Sequence, residues 1–95
     1  MAEAFVYLLR CSDGSLYCGW TNDLQRRLRA HNAGTGSKYT RTRRPVALVW
    51  YEACESREAA MSREWHLKRL TREEKIQLIE ERESHERDSQ TGGET

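Results

Sequence analysis

The chain has 95 residues and a mass of 11.1 kDa, which suits one small domain with a modest hydrophobic core. Hydrophobic residues make up 37% and charged residues 33%, and no stretch approaches the roughly 18 apolar residues that span a bilayer. The apolar run Phe5–Leu9 lacks the length and the basic flank of a signal peptide. From these features we expect a cytoplasmic protein with no membrane segment.

Charge is distributed unevenly along the chain. Positions 1–50 hold eight Lys or Arg against three acidic residues, a net +5, whereas positions 51–95 hold eight against twelve, a net −4. The stretch between Leu24 and Tyr51 has seven basic residues and no acidic one: Arg26, Arg27, Arg29, Lys38, Arg41, Arg43 and Arg44. A local field of this sign attracts phosphate groups, although a solvated basic surface without function would have the same composition.

The three cysteines, Cys11, Cys18 and Cys54, are odd in number and show no Cys-x-x-Cys spacing. This pattern predicts neither a disulfide framework nor a zinc site. We expect each thiol to pack as a small apolar side chain.

The N-terminal pattern predicts a β-hairpin, with strands over Phe5–Cys11 and Leu16–Trp20 and a turn at Ser12-Asp13-Gly14. A two-residue turn would place Tyr7 and Tyr17 on opposite faces of the hairpin. A three-residue loop with a left-handed glycine would place both rings on one face. The sequence permits either, but a shared site requires the second.

A helix is predicted next, with Thr21 and Asn22 as N-cap candidates and an end near Asn32. Glycines then break the helix and open a basic loop, Lys38–Arg44. The third strand, Val46–Ala53, is apolar on both sides, which is typical of a covered central strand.

Two more helices are predicted, one from Ser56 to about Leu70 and a short one that begins with a capping box at Thr71–Glu74. The order is therefore β-β-α-β-α-α, that of an α+β domain over residues 1–83. Residues 84–95 are polar throughout, and we expect them to form a disordered tail.

Arg27 and His31 are four residues apart on the first predicted helix, so their side chains share a face. A guanidinium at the margin of the sheet could clamp a phosphate through two parallel hydrogen bonds. The alternative is that Arg27 is an ordinary helix-surface cation.

Glu64 stands in a predicted buried row with Ala60 and Leu67, at the spacing i, i+4, i+7. A carboxylate in such a row must be paired or bound to a metal. The alternative is an exposed pair with Lys68, worth only about 0.3–0.5 kcal/mol. Spacing alone does not decide between the two.

Two short motifs, Phe5-Val6-Tyr7 and Tyr17-Cys18-Gly19, precede Arg27, and together the pattern resembles the GIY-YIG nuclease superfamily. The resemblance spans about Ala4 to Ile79 and is greatest to small stand-alone bacterial proteins, relatives of the nuclease subunits that cut branched DNA. The first motif lacks the opening glycine of the family, and the second has cysteine where the family has an aliphatic residue.

The resemblance implies a three-stranded antiparallel sheet flanked by helices and a single divalent cation, Mg²⁺ or Mn²⁺, held by Glu64. It also implies that Tyr17 acts on the attacking water, that Tyr7 positions water or phosphate, and that His31 relays a proton or contacts phosphate. A free phenol with a pKa near ~10 is a poor base, so a neighbouring cation such as Arg27 or the metal ion would have to assist.

Together these features predict a metal-dependent nuclease that hydrolyses phosphodiester bonds in branched, nicked or single-stranded DNA. The residues expected to contact nucleic acid are Gly19, Lys38, Arg41, Arg43, Arg44 and Lys68. Two alternatives stay open: a module that binds DNA or RNA without cutting it, and a protein-interaction adaptor. The sequence does not decide whether the chain acts with a partner protein or as a homodimer.

Overall fold

A computed structural model of the protein describes the backbone of residues 2–94 and the side chains of residues 2–84. Three strands and four helices follow one another along the chain. They are β1 (Ala4–Arg10), β2 (Leu16–Thr21), α1 (Leu24–Ala33), α2 (Lys38–Arg41), β3 (Ala47–Cys54), α3 (Arg57–Lys68) and α4 (Arg72–Glu94). The predicted α+β class and the order of the principal elements are confirmed, and the one-turn helix α2 is additional.

The sheet is antiparallel throughout, with the strand order β2-β1-β3. The prediction that the third strand is central is therefore wrong, because β1 holds that place. The reason lies in β1 itself, where Val6, Tyr7, Leu8 and Leu9 are all buried. In β3 the apolar residues include half-buried and exposed positions, as at a covered edge.

The hairpin between β1 and β2 uses the three-residue loop. Gly14 has φ 84°, the Cys11 amide donates to the Ser15 carbonyl over 2.9 Å, and the Gly14 amide donates to the Cys11 carbonyl over 2.9 Å. This loop pairs Tyr7 of β1 with Gly19 of β2, and Tyr17 lies on β2, two residues before Gly19. Because side chains alternate between the faces of a strand, both tyrosine rings lie on one face of the sheet.

Helices cover both faces of the sheet. On one face, Val6 and Leu8 of β1 pack with Ala60 and Leu67 of α3 and Ile79 of α4. The opposite face carries a second cluster of four buried residues, Tyr7, Leu9, Cys11 and Val46, against which Leu24 and Leu28 of α1 pack. The three cysteines are free and buried, as predicted.

Side-chain caps define where the helices begin. Asp23, rather than Thr21 or Asn22, is the N-cap of α1, because its carboxylate accepts from the backbone amide of Arg26 over 3.1 Å. The first four residues of the basic segment predicted as a loop, Lys38–Arg44, instead form α2. Its N-cap Ser37 accepts from the Thr40 amide over 3.1 Å.

The predicted capping box at the start of α4 is present. The Thr71 hydroxyl accepts from the Glu74 amide over 3.2 Å, and the Glu74 carboxylate accepts from the Thr71 amide over 2.9 Å. Helix α4 runs to Glu94 and so overlaps the predicted tail. Side chains from position 85 and the whole of Thr95 lie outside the described residues, and the disordered tail over 84–95 stays a prediction. Over the described residues, no helix combines the length and apolarity that a membrane crossing requires.

Candidate active site

Tyr7 lies at the centre of the face covered by α1, with only 2% of its surface exposed. Its ring lies against Gly19, where an added Cβ would stand 2.6 Å from the Tyr7 hydroxyl oxygen. The close approach that Gly19 permits is therefore made by this ring. Gly19 itself is buried, and its predicted contact with nucleic acid stays a prediction.

His31 of α1 is fully buried beside Tyr7, and its Nε2 atom lies 3.0 Å from the Tyr7 hydroxyl. The other ring nitrogen, Nδ1, lies 2.7 Å from the Thr40 hydroxyl. Burial, and then the positive charge of Arg27, lower the pKa of His31 to about 4. The imidazole is therefore neutral at physiological pH.

Tyr17 is half-buried and lies between two other rings. It contacts His31 edge-on, with 5.2 Å between ring centroids, and stacks on Tyr39 of α2 at 5.9 Å. The Tyr7 and Tyr17 ring centroids are 6.5 Å apart. Packing thus limits the rotation of the Tyr17 ring, as it does for a buried aromatic side chain.

Arg27 lies at the edge of this group. Its Nη2 atom donates to the Gly36 carbonyl over 2.9 Å. Its Nε atom is buried and has no hydrogen-bond partner among the described residues. The pKa of Arg27 is raised, chiefly by hydrogen bonding with the Tyr7 phenol, while burial opposes the increase. A buried donor without a partner is uncommon in folded proteins and calls for a functional explanation.

Glu64 lies on α3, the helix that packs on the other face of the sheet. Its side chain is 22% exposed and lies 3.7 Å from the Lys68 ammonium group. Burial raises the pKa of Tyr7, nearby Arg27 opposes the increase, and the negative charge of Glu64 adds to it. The contribution of Glu64 is the smallest of these effects on the pKa of Tyr7.

A single carboxylate is a sparse ligand set for a metal ion. Within the part of the chain that the structure describes, no three His, Cys, Asp or Glu side chains are grouped closely enough to hold one. Mg²⁺ nevertheless binds commonly through one or two carboxylates, with water and substrate phosphate completing its octahedron. The partly exposed Glu64 carboxylate fits a site of that kind, which substrate would complete.

The basic residues expected to contact nucleic acid fall into two groups. Arg43 and Arg44 are engaged within the chain. Arg43 donates to Asp13 over 3.0 Å and to the Tyr39 carbonyl over 2.8 Å, whereas Arg44 donates to the Arg41 carbonyl over 2.9 Å. Lys68 is paired with Glu64.

Lys38 and Arg41, the second group, are exposed, and neither side chain has an ion pair within the described part of the chain. Arg41 also lines an open depression of about 530 Å³, together with Asn32, Thr42, Arg44 and Pro45. These two cations are therefore available to an anionic ligand.

Sequence reasoning missed three residues of this region. Thr40 is fully buried against His31, and Gly36 packs so tightly that an added Cβ would lie 2.8 Å from the His31 Cα atom. Arg57 lines a depression of about 230 Å³ with Arg27, and the other lining residues are Trp20, Thr21 and Asn22. Nothing in the local pattern could have linked Arg57 to Arg27, because the two are thirty positions apart.

The three-stranded antiparallel sheet, with paired tyrosines on its first two strands, belongs to a domain of nuclease-type fold. The model of the GIY-YIG catalytic domain matches residues 3–77, so the chain belongs to the GIY-YIG family. The nucleases of this family generally use a divalent metal ion.

Relatives with a high level of identity are small UPF0213 proteins. One from Clostridium perfringens is 56% identical over 75 residues, which cover 79% of this chain and 81% of the relative. One from Haloquadratum walsbyi is 57% identical over 77 residues, which cover 81% of this chain and 86% of the relative.

Two solution NMR structures resemble the fold. The UPF0213 protein BH0048 from Bacillus halodurans is 47% identical, with a TM-score of 0.53, over 81% of this chain and 82% of its own. The protein EF2693 from E. faecalis is 41% identical, with a TM-score of 0.56, over 84% of this chain and 88% of its own.

Proposed function

We propose that the protein is a divalent-metal-dependent nuclease that hydrolyses phosphodiester bonds in DNA. One observation supports this most: Tyr7, Tyr17, His31 and Arg27 form one contiguous group, and the charge of Glu64 acts on the Tyr7 hydroxyl. These groups come from four elements, β1, β2, α1 and α3. A packed core alone has no need to gather phenols, a guanidinium and a carboxylate.

Arg27 would bind the scissile phosphate and stabilise the charge that develops on it. The guanidinium is held at one end by the Gly36 carbonyl, while its Nε donor lacks a partner among the described residues. A cation positioned in advance costs little reorganisation when charge develops in the transition state. Arg57 lines the same depression and would contact a neighbouring phosphate.

The two tyrosines would have different tasks. Tyr17 is half-buried, so its hydroxyl could take a proton from the attacking water, whereas the buried Tyr7 would hold water or phosphate in place. The positive charge of Arg27, which interacts with both phenols, would stabilise a phenolate formed during proton transfer. His31, neutral and bonded to Tyr7, would orient the Tyr7 hydroxyl.

Glu64 would hold the Mg²⁺ or Mn²⁺ ion, with water and substrate as the remaining ligands. When bound, such an ion supplies positive charge to the phosphate and the leaving oxygen. Lys68 lies 3.7 Å from Glu64 in a weak ion pair. Because Glu64 would then bind the metal ion, Lys68 would be released to contact the DNA backbone.

Lys38 and Arg41 would bind the DNA backbone away from the reacting phosphate, without reading bases. The exposed ring of Tyr39 lies between this pair in the chain and stacks on Tyr17. We place the protein in the cytoplasm, since three free buried thiols suit a reducing compartment.

The test uses purified full-length protein, end-labelled duplex, flap and junction DNA, and Mn²⁺. Glu64→Gln and Arg27→Ala should each lower cleavage by about 10²-fold or more. Arg29→Ala is the matched control, because it removes an exposed cation from the same helix and should leave cleavage nearly unchanged. Product that persists in both site variants would come from a contaminant and would remove the proposal.

A second candidate function is a module that binds nucleic acid without cutting it, and the exposed pair Lys38 and Arg41 favours it over an adaptor. It predicts salt-dependent binding to DNA or RNA that weakens when these two cations are neutralised. Glu64→Gln and metal removal would then leave binding unchanged, with no cleavage of any substrate.

A further inference from the structure

A buried line of hydrogen bonds leads away from Tyr7 through α1 to α2. It runs from the Tyr7 hydroxyl to Nε2 of His31 over 3.0 Å, and from Nδ1 of His31 to the Thr40 hydroxyl over 2.7 Å. It continues from Thr40 to the Ser37 hydroxyl over 2.9 Å. His31 and Thr40 are both fully buried, so water cannot substitute for either partner.

The direction of these hydrogen bonds depends on which nitrogen of His31 carries the proton. The ring is neutral, since its pKa is lowered to about 4, so one nitrogen donates and the other accepts. The Thr40 hydroxyl donates to the Ser37 carbonyl over 3.5 Å, so its oxygen is left to accept from Nδ1 of His31. Nε2 of His31 is then the acceptor, and the Tyr7 hydroxyl donates to it.

With Nε2 as acceptor, Nδ1 carries the ring proton and requires an acceptor of its own. The Thr40 oxygen occupies that position, and the Thr40 hydroxyl can donate a hydrogen bond to the Ser37 hydroxyl at 2.9 Å. Two features hold Thr40 there: its amide donates to the Ser37 hydroxyl over 3.1 Å, and Gly36 lets the chain pass close over the imidazole. A side chain at position 36 would push α2 away from His31.

We propose that Thr40 is a positioning residue that holds His31 in the tautomer with the proton on Nδ1, so that the Tyr7 hydroxyl donates to Nε2. The Tyr7 oxygen then presents a lone pair to the site and can accept a hydrogen bond from water. In the opposite tautomer, the Tyr7 oxygen would accept from Nε2 of His31, and its proton would point at the water. The consequence for catalysis rests on the proposed nuclease function, whereas the tautomer does not.

The test is long-range ¹H–¹⁵N correlation NMR of the imidazole nitrogens in the full-length protein near pH 7, with His66→Gln and His85→Gln used for assignment. His31 should show a protonated-type shift at Nδ1 and an unprotonated-type shift at Nε2. Thr40→Ser should keep this pattern, and Thr40→Val should move it toward the Nε2-protonated form. Thr35→Val, which changes an exposed threonine of the same connection, should leave it unchanged.

Cleavage assays on the same variants provide the second readout. Thr40→Val should lower kcat by about 10-fold with little change in KM, the effect typical of residues that orient a functional histidine, and Thr40→Ser should restore it. A protonated Nε2 in the unmodified protein, or an unchanged tautomer in Thr40→Val, overturns the proposal. If Thr40→Val does not fold, the spectra of the unmodified protein and of Thr40→Ser still decide it. Absence of cleavage in every variant, with the expected tautomer, would reject the nuclease function and leave the assignment of Thr40 intact.

Discussion

The ring of Tyr7 occupies the space that a side chain at Gly19 would fill, and the two residues are direct partners in the register of β1 and β2. The glycine of the Tyr17-Cys18-Gly19 motif is thus explained by the ring of Tyr7. Without the bare backbone at position 19, the Tyr7 hydroxyl could not pass over β2 to reach His31.

Gly19→Ala should therefore displace Tyr7 and destabilise the fold by about 1–3 kcal/mol, the range for overpacked core positions. The measurement is urea unfolding, together with loss of the Tyr7–His31 contact in NMR spectra. Gly14→Ala is the control in the same hairpin: no atom lies within 4 Å of its added Cβ, so it should cost only the strain of a left-handed φ and leave the Tyr7–His31 contact intact. An unshifted Tyr7 ring in Gly19→Ala would contradict the packing argument.

Substitutions of Arg43 and Lys38 should have different effects, the first on thermal stability and the second on DNA binding. Arg43 donates to Asp13 and to the Tyr39 carbonyl and lies 3.8 Å from the Tyr39 ring centroid, so Arg43→Ala should lower Tm by about 5 °C. Lys38→Ala removes the same charge from an exposed position and should leave Tm nearly unchanged, while the slope of log K against log salt for DNA falls by about 1. Asp13→Asn should lower Tm without reducing that slope, and equal Tm values for all three variants would refute the distinction.

His31 should make the fold less stable in weak acid. Its pKa is lowered to about 4 in the folded protein, against about 6.5 in the unfolded chain, so between these values the unfolded state binds more protons. Stability is therefore lost as pH falls through 6.5 toward 4, by about 2 kcal/mol at pH 5. Urea unfolding at pH 7 and pH 5 should show this extra loss in the unmodified protein and not in His31→Gln.

His66→Gln, a change at an exposed histidine, should keep the full pH dependence of the unmodified protein. Titration of His31 near pH 6.5 in NMR spectra would show that its ring is not desolvated as described.

Arg57 and Arg27 line one depression, although they belong to helices on opposite faces of the sheet. If this depression binds phosphate, Arg57→Gln should weaken DNA binding severalfold at low salt. Arg10→Gln, which removes an exposed cation from the end of β1, should have a smaller effect. Filter binding or fluorescence anisotropy at two salt concentrations would measure both, and equal losses would show that only net charge matters.

Much of the fold follows from local patterns. The hairpin, the capping box at Thr71 and Glu74, and the N-cap Ser56 of α3 depend on residues within a few positions of one another. The central strand could not be assigned in the same way, because burial on both faces depends on which helices cover the sheet. The sequence pattern also predicts a loop where α2 forms, since a one-turn helix has almost no periodicity to detect.

The candidate site also has features that local sequence predicts and features that depend on tertiary packing. The amino-acid sequence alone determined which groups are present: two phenols, a guanidinium, an imidazole and a carboxylate at Tyr7, Tyr17, Arg27, His31 and Glu64. Only the tertiary structure decided that Thr40 faces His31, that Arg57 joins Arg27, and that Arg43 serves the fold while Lys38 stays exposed. The physical reason is that chemistry belongs to each side chain, whereas hydrogen bonds and burial form between residues distant in sequence and exist only once the sheet has assembled.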